Sequence, residues 1–119
     1  MDLEESEQWP VARLTGEIDL SNARALGDQL EGAVSNRASG LVLNLSGVTY
    51  LDSTGLHLIF SLARRLGDRQ QTLKLVVPDQ SRIRRLLRVT GVSTVAEIVA
   101  DEAQAVDGQQ AERAEPEGT

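Results

Sequence analysis

Two short, nearly continuous apolar runs constrain the fold of this chain more than any other feature of its sequence. Residues 41–45 read Leu-Val-Leu-Asn-Leu between Gly40 and Ser46, and residues 73–77 read Leu-Lys-Leu-Val-Val before Pro78. Apolar runs of this length are typical of strands that a parallel sheet buries on both faces. We therefore expect both runs in the interior of a sheet.

Amphipathic helices alternate with these predicted strands. The first helix begins after Ser21, a predicted N-cap residue, and ends near Asn36. The second runs from the segment 52–55 to Leu66, with Gly67 as the expected left-handed C′ residue. Their inward positions follow the helical period and are Ala23, Leu26, Leu30 and Val34 in the first helix, and Leu56, Ile59, Phe60 and Ala63 in the second.

The remaining segments complete an alternation of strands and helices. Residues 10–15 can form a strand, with a candidate antiparallel partner at residues 3–6, and residues 95–99 can form the last strand. Residues 82–89 have the pattern of a third amphipathic helix, and residues 101–106 that of a short closing helix. This alternation predicts an α/β fold, in which helices pack against a central, mostly parallel sheet of about four or five strands.

The composition excludes several classes of protein and of site. A chain of 119 residues is long enough for one domain with its own core. It has no cysteine and one histidine, His57, so disulfides, thiol chemistry and zinc sites with cysteine ligands are excluded. The first residues lack the apolar core of a signal peptide, and no run approaches the roughly 20 apolar residues of a membrane span. These features predict a soluble cytoplasmic protein without a cofactor or a membrane span.

The formal net charge of −6 is concentrated at the two ends of the chain. Four acidic residues precede Trp9, and four acidic residues against one arginine follow Val106. The part between the ends is close to neutral, and the acidic total argues against nucleic acid as a partner. We divide the chain into an acidic N-terminal segment at 1–8, which includes the candidate edge strand, a folded domain at 9–106 and a disordered acidic tail at 107–119.

The segment most informative about function is 51–56, which reads Leu-Asp-Ser-Thr-Gly-Leu. Here Ser53 leaves a predicted strand and opens a helix, where the first backbone N–H groups lack partners within the helix and the helix dipole is positive. Oxygen anions bind favourably at such a position. Gly55 would allow another molecule to approach the backbone and the serine hydroxyl. The alternative is that Asp52 or Ser53 only caps the helix.

Three segments of the chain, in this order, resemble the STAS domain, and specifically the anti-sigma factor antagonists. They are Gly-Glu-Ile-Asp-Leu at 16–20, Leu-Val-Leu-Asn-Leu-Ser-Gly-Val at 41–48 and Leu-Asp-Ser-Thr-Gly-Leu at 51–56. The resemblance covers about residues 10–106, so the domain predicted at 9–106 is STAS-like. Asn44 departs from the pattern, because many members of the family have a second acid there.

The resemblance implies a bacterial partner-switching protein of transcription regulation, as in stress response or sporulation, and not an enzyme. In the family, an anti-sigma factor that is also a serine kinase phosphorylates the serine of this motif, which corresponds to Ser53. The unphosphorylated antagonist binds the anti-sigma factor and frees the sigma factor, and a serine phosphatase resets the switch. The partner-binding residues that the resemblance implies are Asp19, Asp52, Ser53, Thr54 and Gly55.

A phosphate on Ser53 would oppose binding through its charge and its bulk. It would add about −1.5 to −2 charges beside Asp52, and near Asp19 if residues 16–20 end at the same edge of the sheet. We expect this charge to disturb the interface with little refolding. Thr54, one residue away, is the alternative acceptor.

Three other interpretations of these residues stay open. Asp19 and Asp52 could form a catalytic or metal-binding pair, although acids at strand-to-helix junctions are commoner as caps. His57, one helical turn after Ser53, suggests a serine hydrolase, but Leu51 stands where a nucleophile elbow has glycine. A STAS-domain scaffold or accessory protein of a signalling complex, or of a lipid or anion transport system, would keep the fold and change the partner.

Overall fold

A computed structural model of the chain describes residues 1–106, and the tail predicted at 107–119 lies outside this range. The described residues form five strands and three α-helices of eight residues or more. In chain order these are β1 (Asp2–Glu4), β2 (Val11–Ile18), α1 (Ala23–Gly32), β3 (Gly40–Leu51), α2 (Ser53–Asp68), β4 (Thr72–Val76), α3 (Arg82–Val89) and β5 (Glu97–Val99). Residues 102–106 form a further short helix, which we call the C-terminal helix. No helix within residues 1–106 is both long and apolar enough to cross a membrane.

The strands form one sheet in the order β1-β2-β3-β4-β5. Strand β1 is antiparallel to β2, and the other neighbouring pairs are parallel. The two apolar runs lie in β3 and β4, where Leu41, Leu43 and Leu75 are fully buried. The predicted α/β fold, with a mostly parallel central sheet and helices packed against it, is confirmed.

Apolar side chains cover both faces of this sheet. On one face, Leu30 of α1, Ile59 of α2 and Ile83 of α3 pack in a common cluster with leucines of β3 and β4. The second face carries a smaller cluster that contains Trp9, Val42 and Ala105 of the C-terminal helix, among others. Burial of one large apolar side chain contributes about 1.5–3 kcal/mol, so each layer stabilises the sheet from its own side.

The two outer strands are shorter than predicted. Strand β1 covers Asp2–Glu4 rather than 3–6, and β5 covers Glu97–Val99 rather than 95–99. Before β5 the chain forms a 3-10 turn at Val92–Thr94, and Val95, which the sequence pattern assigns to the strand, is the C-cap residue of this turn. Short edge strands limit pairing with other chains.

The N-terminus of α1 differs from the prediction, because Asn22 and not Ser21 is the N-cap residue. The Ser21 backbone N–H and hydroxyl both donate to the Asp19 carboxylate, so this serine belongs to the preceding loop. Asn22 Nδ2 in turn donates to the Glu17 carbonyl oxygen at 2.8 Å. The loop between β2 and α1 is therefore closed by its own polar side chains.

A distant glutamine determines where α1 ends. The side chain of Gln71 is buried, and its Nε2 donates to the carbonyl oxygens of Ser35 and Ala38 at 2.9 and 3.0 Å. These bonds hold a non-helical segment after α1. The helix therefore ends at Gly32, and the prediction of an end near Asn36 is wrong.

Helix α2 continues through Gly67, so the prediction that Gly67 is the left-handed residue is also wrong. The left-handed residue is Gln70, with φ at 63°. Its N–H donates to the Gly67 carbonyl at 2.9 Å, and the Gln71 N–H donates to the Leu66 carbonyl at 2.8 Å, which is a Schellman arrangement. The buried side chain of Gln71 holds this end of the helix in place.

Strand β3 is 12 residues long, whereas the apolar run predicts a strand at 41–45 only. It pairs with β4 as far as Asn44, but with β2 as far as Leu51. The pairing with β2 is irregular, and a Cβ at Gly47 would lie 2.8 Å from Thr15 Cγ2 in this part of the strand. Strand β3 thus extends past the end of β4 beside β2.

Polar side chains fasten the C-terminal helix to the second face of the sheet. Glu102 accepts hydrogen bonds from Arg13 Nε and Nη2 at 2.8 and 2.9 Å, and from Asn44 Nδ2. Lys74, whose side chain is 2% exposed, donates from Nζ to the Ala105 carbonyl at 2.9 Å. An acid at position 44 would repel Glu102 across the same contact. The asparagine found there therefore suits the helix that covers it.

The Glu102 contact makes the stability of the protein depend on pH. Hydrogen bonds from Arg13 hold the pKa of Glu102 below its ordinary value of 4.5. The carboxylate therefore stabilises the folded state above that pH, and this contribution is lost as the pH falls through the lowered pKa. We expect Glu102→Gln to lower the melting temperature at neutral pH, and the difference from the wild type to shrink in acid. Thermal denaturation, monitored by circular dichroism at each pH, measures the difference in melting temperature between the two proteins.

Glu5→Gln is the control for this experiment, because Glu5 is exposed and belongs to the acidic N-terminal segment. Its melting temperature should follow that of the wild type across the same pH range. Equal shifts for the two variants would contradict the role assigned to Glu102.

Candidate functional site

The carboxyl ends of β2 and β3 bring two distant segments together. The strands are parallel neighbours with Ile18 opposite Leu51, and the Asp52 N–H donates to the Ile18 carbonyl at 3.3 Å. Asp19 follows the first strand, and Asp52 follows the second. The structure therefore places Asp19, Asp52 and Ser53 at one edge of the sheet, which we call the carboxyl rim.

Ser53 is the first residue of α2 and is exposed at the carboxyl rim. The preceding Asp52 has an extended backbone and is the N-cap residue, because its Oδ1 accepts a hydrogen bond from the Gly55 N–H at 2.9 Å. Of the two capping residues that the sequence leaves open, the structure selects Asp52. The Ser53 hydroxyl is therefore not needed to cap the helix.

Gly55 has an internal role. It is buried, and a Cβ at this position would lie 2.5 Å from Leu51 Cδ1 and 2.9 Å from the Ile18 carbonyl oxygen. Only glycine lets the first turn of α2 pack so closely against the ends of β2 and β3. Ile18 and Leu51 fill the space left by the missing side chain. This space is therefore closed to a partner, whereas the sequence pattern predicts that it is open.

Thr54 and His57 line a groove between α1 and α2, together with Arg24 and Asp28 among others. Ser53 is not among the residues that line this groove. Thr54 is half-buried, whereas Ser53 is exposed. A serine hydrolase would need the histidine against the nucleophilic hydroxyl, and the position of His57 in the groove gives no support to that interpretation.

The Asp19 carboxylate organises the loop that follows β2. Its Oδ1 accepts hydrogen bonds from the Ser21 hydroxyl at 2.6 Å and from the Ser21 N–H at 2.9 Å. These hydrogen bonds hold the pKa of Asp19 below its ordinary value, so the group stays ionised at neutral pH. The Asp19 N–H donates to Asn22 Oδ1 at 3.0 Å, which closes the loop from the other side.

Each of the two aspartates at the rim is bound to the backbone beside it. Asp19 binds Ser21, and Asp52 binds Gly55. Within residues 1–106, no group of three Asp, Glu, His or Cys side chains is arranged to hold a metal ion. The contacts of the two carboxylates are those of turn and capping residues rather than those of an acid–base pair.

Two apolar side chains at the carboxyl rim are exposed, and the sequence patterns identify neither as part of the site. Leu20 is 79% exposed and lies next to Asp19, and Tyr50 is 52% exposed near the end of β3. Tyr50 lies opposite Glu17 in the register of β2 and β3. The one sequence signal for Leu20 is its place between a strand and a helix, outside the apolar period of the helix.

Sequence comparison shows which known proteins this chain resembles. Residues 1–100 match the family model described as "Mlab, STAS domain". The chain is 34% identical over 83 residues to the anti-sigma-F factor antagonist RsfB of Mycobacterium tuberculosis, which is 69% of this chain and 66% of that protein, slightly under two thirds of its length. It is also 34% identical over 85 residues to the anti-sigma-B factor antagonist of Listeria monocytogenes, which is 71% of this chain and 74% of that protein.

A solved structure has the same fold. The crystal structure of an anti-sigma factor antagonist from Mycobacterium paratuberculosis matches with a TM-score of 0.76 and 25% sequence identity, over 89% of each chain. The family model covers most of the chain, and the motifs that carry the resemblance lie at the carboxyl rim and in the central strand β3. The chain therefore belongs to the STAS-domain family, and the relatives that it matches are named anti-sigma factor antagonists.

Proposed function

We propose that this protein is an anti-sigma factor antagonist controlled by phosphorylation of Ser53. The unmodified form binds an anti-sigma factor that is also a serine kinase, and thereby frees the sigma factor. Phosphorylation of Ser53 by that kinase dissociates the complex, and a serine phosphatase restores the unmodified form. The observation that carries the proposal is the exposed Ser53 at the carboxyl rim, beside an aspartate that already caps the helix. Such a switch acts in the bacterial cytoplasm, where sigma factors direct transcription.

The relatives support the antagonist part of the proposal. Two of them, each 34% identical, are named antagonists of anti-sigma factors. That name describes an effect on another protein and not a reaction on a substrate. Because the carboxylates of the rim are engaged in a turn and a cap, we assign binding rather than catalysis to this surface.

The partner-binding surface is the carboxyl rim. Asp19 and Asp52 are half-buried there and Ser53 is exposed, so each can reach a partner placed over the rim, and Thr54 lies next to the rim in the groove between α1 and α2. Gly55 is buried and contributes indirectly, because it lets α2 begin close to the strand ends.

A phosphate on Ser53 would oppose binding at this surface. It adds about −1.5 to −2 charges beside Asp52, whose Oδ1 already occupies the Gly55 N–H. Enclosing a hydrated phosphate in an interface carries a large desolvation cost, and its bulk holds two surfaces apart. The fold needs no rearrangement, because the modified side chain is exposed.

Substitution of Ser53 separates its two roles. Ser53→Ala is expected to abolish phosphate transfer from the kinase with ATP and still allow the complex to form. Ser53→Asp should weaken the complex by about 2 kcal/mol, or roughly thirtyfold in affinity, because it places a second carboxylate beside Asp52, and this hydrated charge must be enclosed in the interface. Titration calorimetry measures the affinity, and mass spectrometry locates the phosphate.

The control is Ser93→Asp, which adds the same carboxylate at another exposed serine and should leave the affinity unchanged. Phosphate on Thr54, or continued labelling of the Ser53→Ala variant, would contradict the assignment of the acceptor. If the unmodified protein binds none of the anti-sigma factor kinases that the same genome encodes, the proposed antagonist function is wrong. A scaffold or accessory role in a signalling complex, or in lipid or anion transport, would then take its place.

A further inference from the structure

We infer that Leu20 and Tyr50 are the apolar anchors by which this protein holds its anti-sigma factor. The partner meets them with an apolar hollow that is bordered by lysine or arginine side chains. This inference rests on the proposed function, and it adds two residues and the chemistry of the partner to it.

The position of the two side chains is the first argument. Large apolar side chains that are exposed singly are ordinary on a protein surface. Leu20 and Tyr50, however, are 79% and 52% exposed at the carboxyl ends of neighbouring strands, at the rim that also carries Ser53. Two exposed apolar side chains at the same edge of the sheet are candidates for a protein–protein contact.

The loop that presents Leu20 is held in one conformation. Directly after Leu20, the Ser21 N–H and hydroxyl donate to Asp19 Oδ1 at 2.9 and 2.6 Å. The Asn22 and Ala23 N–H groups donate to the Asp19 carbonyl oxygen at 3.1 and 2.9 Å. Because the backbone around Leu20 is already ordered, this loop loses little conformational entropy when a partner encloses the side chain. This favours an anchor role for Leu20.

The charges around the anchors define the border of the partner surface. Glu17 lies opposite Tyr50 in the strand register, Asp19 precedes Leu20, and Asp52 begins the second segment of the rim. Within the described part of the chain, none of these three carboxylates forms an ion pair with lysine or arginine. Basic side chains on the partner would neutralise them and accelerate the encounter.

The anchors also explain how a phosphate on Ser53 acts. A dianion keeps its hydration shell, and beside Leu20 and Tyr50 it would prevent the apolar surfaces from closing. The basic border attracts the phosphate, but removing water from the dianion offsets that attraction, so the lost apolar contact is not replaced. The apolar contact is therefore the part of the interface that the modification controls.

The test is a titration of the full-length protein with the anti-sigma factor that its unmodified form binds. Leu20→Ala and Tyr50→Ala are each expected to lower the affinity about tenfold or more, as truncation of a central anchor does. Leu20→Met keeps an apolar side chain of similar volume and should remain within about threefold of the wild type. Val89→Ala is the matched control, because Val89 is 70% exposed on α3, and it should leave the affinity unchanged.

Ionic strength tests the basic border of the partner. The affinity of the wild type should fall as salt is added, and Glu17→Gln should reduce both the association rate and this salt dependence. If the wild type binds and neither Leu20→Ala nor Tyr50→Ala lowers the affinity, the anchor role of these residues is wrong. The proposed function would then remain intact. A salt-independent affinity would overturn the basic border, and the absence of any wild-type complex would overturn the proposed function and the inference together.

Discussion

Gly40→Ala is expected to lower the free energy of unfolding by about 4 kcal/mol. A Cβ at this position would lie 1.9 Å from the Thr72 carbonyl oxygen and 2.8 Å from the Thr72 N and C atoms. Gly40 and Thr72 are direct partners in the register of β3 and β4, so relief of the clash requires two central strands to separate. Overpacking usually costs about 1–3 kcal/mol, and a clash with backbone exceeds this because the backbone cannot rotate away. Urea denaturation measures the change.

Gly67→Ala is the matched control, because a Cβ there meets no atom within 4 Å. Gly67 lies inside α2, where alanine is favoured over glycine by about 0.5–1 kcal/mol. This variant should be at least as stable as the wild type. A Gly40→Ala protein with a stability within about 1 kcal/mol of the Gly67→Ala protein would contradict the close strand contact.

Lys74→Ala is expected to destabilise the protein by about 3 kcal/mol. Lys74 Nζ donates to the Ala105 carbonyl at 2.9 Å, lies 3.2 Å from Glu97 Oε1 in an ion pair, and lies 4.7 Å from the centre of the Trp9 ring. Truncation removes the donor of a buried carbonyl and leaves a cavity between the sheet and the C-terminal helix. The midpoint of thermal denaturation and the free energy of unfolding in urea both report the loss.

Lys74→Met separates the packing of this side chain from its charge. Methionine keeps a long flexible stem that fills the space under the C-terminal helix, and it removes only the ammonium group. Replacement of a buried ion by a well-packed apolar side chain is often close to neutral, so we expect a loss of about 1 kcal/mol or less. Glu97, whose side chain is 32% exposed, can turn to water in this variant. Equal losses for the two variants would show that the ammonium contacts, and not the stem, stabilise the helix.

Apolar patterns predict the layers of this fold well, because they reflect burial directly. The runs at 41–45 and 73–77 lie in the two central strands, as expected. The periodic positions Leu30, Ile59 and Ile83 all lie in the core on the helical face of the sheet. Burial of this kind is a property of each segment by itself, which is why the sequence reveals it.

The ends of the helices are less predictable, because contacts with distant residues determine them. Gln71 holds the carbonyl oxygens of Ser35 and Ala38, and these bonds end α1 early. The same residue stabilises the left-handed Gln70 after α2, where the sequence favours Gly67. A glutamine has no special propensity for either role, so no local pattern indicates it.

The site shows the same division between local and distant information. The segment 51–56 predicts that Ser53 opens a helix, since that follows from residues next to each other in the chain. The packing of Gly55 against Ile18 depends on the pairing of two strands, and the exposure of Leu20 depends on how its loop folds. Neither property belongs to a short stretch of sequence.

The number of neighbouring strands changes along β3, so its two parts should open to solvent at different free energies. As far as Asn44 it has a neighbouring strand on each side, and from there to Leu51 the described residues provide only β2. Outward-facing amide protons of the second part should therefore exchange with solvent through local opening at a lower free energy than those near Leu41. The backbone next to Ser53 can thus adapt to an approaching protein surface while the middle of the sheet stays closed.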